Sequence, residues 1–242
     1  MHRLNILALT HEGLQVPFIQ GAIAQSVNEV VYLRMGDTAT FQPLTREDRI
    51  TVILYRTGIV LSTVFMAIAA VLAVMSVRSP DMLDVRIIFS GLAANILILL
   101  LYFSIGLSVF FIHLYVGTFH RLLKKIYYGA VACLVLLFIM GKGSPATPLF
   151  RSMPVGALLL IPLSCCLGFI TAKEAFCFRL LEGYLLGMLM PVYLFLYGMG
   201  LLDKQQAAYG LAFIAAMLMF FTFRKAFMPL HYDIGDKSAY QP

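Results

Sequence analysis

The amino-acid sequence predicts an all-α membrane protein, a polytopic transmembrane helix bundle of about six spans, on three observations. Sixty-one per cent of the 242 residues are hydrophobic and only 12 % are charged, whereas an average soluble domain carries roughly a quarter of its residues as charges. The mean hydropathy is +0.88. The apolar residues fall in runs of about 20, the length that crosses a hydrocarbon core of roughly 30 Å at 1.5 Å per residue. In lipid no water satisfies the backbone, so each such run must close its hydrogen bonds within its own helix.

The elements follow in order. Residues 1–44 form an N-terminal extension in which Ile19, Ile23, Val27 and Val30 recur at helical spacing and allow one amphipathic helix. Polar breaks at His11, Glu12 and Gln15 do not match a cleavable leader, so insertion is expected to be driven by the first span. The membrane domain covers 45–228. Thr45-Arg-Glu-Asp48 resembles a capping box, with Asp where Glu or Gln is usual, and opens a segment through Tyr55 and Arg56. The first span is 57–77, stopped by Arg78-Ser-Pro80. The stretch 87–116 is read as one tilted or extended span, closed by His120, Arg121, Lys124 and Lys125. A short third span, 126–140, ends at the turn-rich Gly141-Lys-Gly-Ser-Pro145. The fourth span, 155–172, contains Pro162, and the fifth, 184–202, contains Pro191, both positions where a kink is expected. Asp203-Lys-Gln-Gln206 turns the chain into the sixth span, 207–223, and residues 229–242 form a C-terminal tail.

Charge sets the expected orientation. The N-terminal segment, the second and fourth connections and the tail hold 13 of the 18 Lys and Arg, leaving five on the other side, so both termini are expected to be cytoplasmic. The net charge of +6 does not point to nucleic acid, because the basic residues stand singly or in pairs beside apolar runs; the expected partner is the lipid bilayer. The four cysteines show no disulfide or zinc spacing. With no Trp, interfacial anchoring falls to Tyr, Lys and Arg. Small residues four apart, Ala208, Ala212 and Ala216 in the sixth span and Gly183 and Gly187 in the fifth, suit close helix packing and leave self-association open.

Two groups of residues are candidates for chemistry. The connection Lys173 to Glu182 packs Lys173, Glu174, Cys177, Arg179 and Glu182 between two spans; if helical, Glu174 shares a face with Cys177, and Arg179 with Glu182. It is either a solvated cytoplasmic connection or a polar site closing the inner end of the bundle. His113 and His120, with Arg121 beside them, stand two helical turns apart and share a face if the helix continues. His113, His120 and Cys177 are weak candidates for a metal or haem, and the sequence names no cofactor. No acidic residue stands mid-span, and no phosphate loop, HExxH pair or nucleophile elbow is present, so no catalytic residue is assigned.

His113-Leu-Tyr115 with His120-Arg121, Lys173-Glu174 with Phe176-Cys-Phe-Arg179 and Glu182, and Pro229-Leu-His-Tyr-Asp-Ile-Gly-Asp236 with Tyr240-Gln-Pro242 resemble an uncharacterised integral membrane protein family, a domain of unknown function associated with cyanobacteria and plant plastids. The likeness runs from about residue 41 to the C-terminus. It implies a multi-span protein of a bacterial plasma membrane or thylakoid membrane and supplies no activity. The leading expectation is a non-enzymatic factor that scaffolds or assists another membrane complex. The rivals are a channel or transporter routed past Asn95 and His113, and a metal- or haem-binding redox protein.

Overall fold

In the computed structural model the chain forms two units, Met1–Gln42 and Pro43–Pro242. The structure describes residues 45–78, 92–114, 117–149, 154–229 and 233, all in the second unit. The expected amphipathic helix around 19–30, the connection 79–91 and most of the tail lie outside the described residues.

Among the described residues six helices are long and apolar enough to cross a membrane: α1 (Arg46–Arg78), α2 (Leu92–Phe111), α3 (Gly117–Met140), α4 (Val155–Phe178), α5 (Leu181–Gly198) and α6 (Lys204–Ala226). No strand occurs among the described residues. α1 packs against α2 and α6, α4 against α5, α3 and α2, and α5 against α6. Of the six, α4 is the most deeply buried. The shared core includes Ile59, Ile105, Val109, Leu167, Ile170 and Leu218. Large apolar side chains such as Met188, Ile139 and Phe213 face outward, as they must where hydrocarbon is the solvent.

The helix ends follow local chemistry. At the start of α1, the Thr45 backbone N–H donates to Asp48 Oδ2 (2.9 Å) and the Asp48 N–H to Thr45 Oγ1 (3.2 Å), the reciprocal box the sequence predicts. A second box, between Asp203 and Gln206, opens α6. α3 ends in a Schellman turn: the Gly143 N–H reaches the Phe138 carbonyl at 2.9 Å, with Lys142 (φ 52°) and Gly143 (φ 93°) both left-handed.

Several expected boundaries are corrected. The second span ends before 116: its helix is described over Leu92–Phe111 and the chain leaves helical geometry at Ile112, while 87–91 lie outside the described residues. The third is not short: α3 starts at Gly117 and carries His120, Arg121, Lys124 and Lys125 within its first turns. The segment Lys173–Phe178 is the end of α4 rather than a connection, and only Arg179 and Leu180 separate α4 from α5. Arg179 makes that break in the left-handed region (φ 53°), with its own N–H still bonded to the Ala175 carbonyl. Pro162 stands where the 3-10 turn Val155–Leu160 becomes α-helix, in a first turn whose N–H groups lack helical partners anyway.

Small residues set how closely the helices approach. Gly58 lets α1 lie against α2, since a Cβ there would stand 2.6 Å from the Ser104 carbonyl oxygen. Gly183 and Gly187 do the same for α5 against α4, at Thr171 and Gly168, so this glycine ridge is used inside one chain. Polar ties add direction: Ser108 Oγ donates to the Tyr55 carbonyl (3.1 Å), Thr63 and Thr222 hydroxyls meet at 2.7 Å, and Tyr127 donates to the Tyr102 carbonyl (3.0 Å). A Gly183→Leu substitution would put Cβ 2.4 Å from the Thr171 carbonyl oxygen and is expected to lower stability by about 2 kcal/mol. Gly129→Ala, with nothing within 4 Å of the new methyl, is expected to raise it by roughly 0.5–1 kcal/mol. Unfolding of both variants in detergent checks the contrast.

Candidate functional site

The start of α1, the ends of α4 and α6, and the breaks at 112–114 and 179–180 meet at one end of the bundle, here the polar end. Contacts across the sequence fix this: Thr51 to His113, Tyr55 to Glu174, and Arg56 to Asp233. The Glu174 carboxylate stands at its centre, wholly buried. Its Oε1 accepts from the Tyr55 hydroxyl at 2.7 Å and from Lys173 Nζ at 2.8 Å. Its Oε2 forms an ion pair with Lys225 Nζ, close enough for charge attraction though not aligned as a hydrogen bond.

Lys225 is equally buried and bridges onward to Asp233 Oδ1. Asp233 Oδ2 accepts from Arg56 Nε at 2.6 Å. The remaining guanidinium nitrogens of Arg56 donate to the backbone carbonyls of Met228 (2.5 Å) and Pro229 (3.0 Å), so the chain leaving α6 is held against α1. Three cations, Arg56, Lys173 and Lys225, thus face two carboxylates, Glu174 and Asp233, a net charge of +1. Aromatic faces help hold the surplus: Lys225 Nζ lies 4.0 Å from the Phe178 ring centre and Lys173 Nζ 5.6 Å from that of Tyr55.

The structure brings Lys173 and Glu174 into this network and sets His113 beside it. His113 Nε2 lies 3.2 Å from Thr51 Oγ1, and its buried Nδ1 has no partner. Burial, with Lys173 pushing the same way, holds the His113 imidazole below its ordinary value of 6.5, so the neutral ring is favoured. His120 does not continue a helix from His113, because residues 112–114 are non-helical; it stands in the first turn of α3, and its ring bonds the Val109 backbone. Arg121, Cys177 and Arg179 are exposed. Cys177 belongs to the same helix as Glu174 and lies within reach of the charges of Lys173, Glu174, Lys225 and Asp233, at the exposed edge of the network. The left-handed break at Arg179 removes the helical face it was expected to share with Glu182, whose carboxylate accepts from Arg224 at 2.6 Å.

Among the described residues no three His, Cys, Asp or Glu side chains converge to hold a metal ion. Asn95 stands away from the polar end, its oxygen accepting from Ser144 Oγ (3.2 Å) and the Ala146 N–H (3.0 Å) of the loop after α3. Sequence reasoning missed Tyr55, Arg56, Lys225 and Asp233. Arg56 and Lys225 read as topology signals at span ends, and nothing local marks their pairing with residues more distant in the chain.

The sequence profile of a family described as uncharacterized integral membrane protein (DUF2301) matches residues 107–241. No curated protein and no solved structure matches the chain.

Removing one partner of a buried ion pair leaves the other charge uncompensated, so Glu174→Gln is expected to lower stability by about 3 kcal/mol. Pairing it with Lys173→Met removes the cation whose ion-pair acid was Glu174 and is expected to recover part of that loss, as measured by unfolding in detergent. His113 gives a pH signature. Its folded-state pKa is depressed, so its contribution is full above 6.5 and is lost as pH falls from there through the lowered value. Unfolding midpoints measured between pH 8 and 5 should drop at the acid end in the native chain, and less in His113→Gln.

Proposed function

The chain belongs to the family of uncharacterized integral membrane proteins, and from that premise we propose that it is a non-enzymatic factor that scaffolds or assists the assembly of another membrane complex. The single observation that supports this reading is the form of the polar end. Its buried charges are engaged with one another, and around them Arg46, Arg49, Arg121, Lys125 and Arg179 are exposed. Phe176 and Phe227 are exposed on the same end, at 79 % and 76 %. A rigid platform of cations and aromatic rings suits an acidic segment of a membrane partner, because complementary charge steers encounter while preorganised side chains lose little freedom on docking.

In this reading the platform faces the cytoplasm, with both termini on that side, and the membrane is a bacterial plasma membrane or a thylakoid. The bias of 13 Lys and Arg against five supports the orientation. Purification from native membranes in mild detergent, followed by mass spectrometry, should recover a reproducible companion. An Arg46→Glu, Arg49→Glu, Arg121→Glu variant should hold it about tenfold more weakly, ~1.4 kcal/mol. A homogeneous native particle with no companion overturns the reading.

A further inference from the structure

We propose that a cavity in the half of the bundle away from the polar end binds a single hydrocarbon tail, the acyl chain of a bilayer lipid. The cavity measures about 200 Å³, is only partly enclosed, and is walled by α1, α2, α4, α5 and α6 with Leu149 from the loop after α3. Small side chains make the room, among them Ala69 on α1, Ala94 on α2 and Ala157 in the first turns of α4.

The walls offer hydrocarbon and nothing to bond with. Three lining residues carry hydroxyls, Ser164, Tyr193 and Tyr197. Each donates to a backbone carbonyl: Ser164 to Ile161 (2.8 Å), Tyr193 to Ala207 (2.8 Å) and Tyr197 to Leu149 (2.9 Å). A ligand headgroup would therefore lose its water without replacement, whereas an aliphatic chain loses nothing. An apolar cavity of about 150 Å³ already stays dry and admits a small hydrocarbon, and this one is larger.

Its depth selects the source. Apart from Leu149 the lining residues come from spanning helices, so acyl chains of the surrounding bilayer are the apolar molecules at highest local concentration. Beside the cavity, α4 and α5 touch backbone to backbone at Gly168 and Gly187, and Pro191, one residue after the lining Met190, removes a backbone donor from α5. The site is separate from the charged platform and its test is independent of any partner.

The full chain, reconstituted in phosphatidylcholine vesicles doped with a phosphatidylcholine carrying a diazirine in mid-chain, is irradiated and its adducts mapped by mass spectrometry. Adducts are expected on lining residues buried from the outer surface, Leu163, Leu167 or Ile214, besides outward-facing ones such as Phe213. Labelling confined to outward-facing residues overturns the proposal. In Ala157→Phe, which fills the cavity, interior adducts should fall to background while those on Phe213 persist; unchanged interior labelling in that variant also overturns it. A parallel arm uses a photoactivatable polyprenol at the same mole fraction. Interior labelling by the polyprenol but not by the acyl probe would assign the cavity to isoprenoid chains and overturn the acyl assignment.

Discussion

The buried carboxylate of Glu174 is the point on which the polar end depends. It receives Tyr55 from α1, Lys173 from its own helix and Lys225 from α6, and through Lys225 it reaches Asp233 and Arg56. Taking five charges out of water carries a large desolvation penalty, and in general a buried ion pair adds little net stability over a well-packed apolar substitute. What it does impose is register. The contacts join α1, α4 and α6 at fixed positions, and sliding any of the three by a turn, about 5.4 Å, pulls its charges away from their partners. The apolar core beneath it, in which Ile and Leu are the commonest residues, holds the helices together with less directional contacts.

Away from the polar end, lipid on the outside removes the usual reason for helices to associate, since a leucine is as well solvated by acyl chains as by other leucines. The bundle relies on shape instead. Gly58, Gly183 and Gly187 bring backbones together, and hydroxyls such as Ser108 and Thr63 bond across the contacts that those glycines permit. Where alanines line a space that no large side chain fills, the same economy of side-chain volume produces a cavity.

The six spans and the capping box at Thr45 were legible because they rest on local facts, namely run length and side chains three residues apart. The ends of α2 and α3 were less so. His120 to Lys125 look like a surface connection, yet basic side chains extend along an amphipathic first turn without ending the helix. Lys173 and Glu174 were singled out for their charge at membrane depth, and burial of Glu174 follows from the same physics. Their partners were not legible. Arg56 and Asp233 are 177 residues apart, and composition treats each as an ordinary charge near a span end. Arg179 misled for a different reason: helical spacing assigns it a face only while the backbone stays right-handed.

The contact between Arg56 and Asp233 links the first spanning helix to the residues that follow the last one. During synthesis it cannot exist until α6 has been made and the chain has extended eight residues past Lys225. A nascent or truncated polypeptide therefore carries Arg56 and Lys225 without their shared acid, an uncompensated charge at the membrane boundary. The closing of this one clasp records, in the folded molecule, that synthesis has passed Asp233.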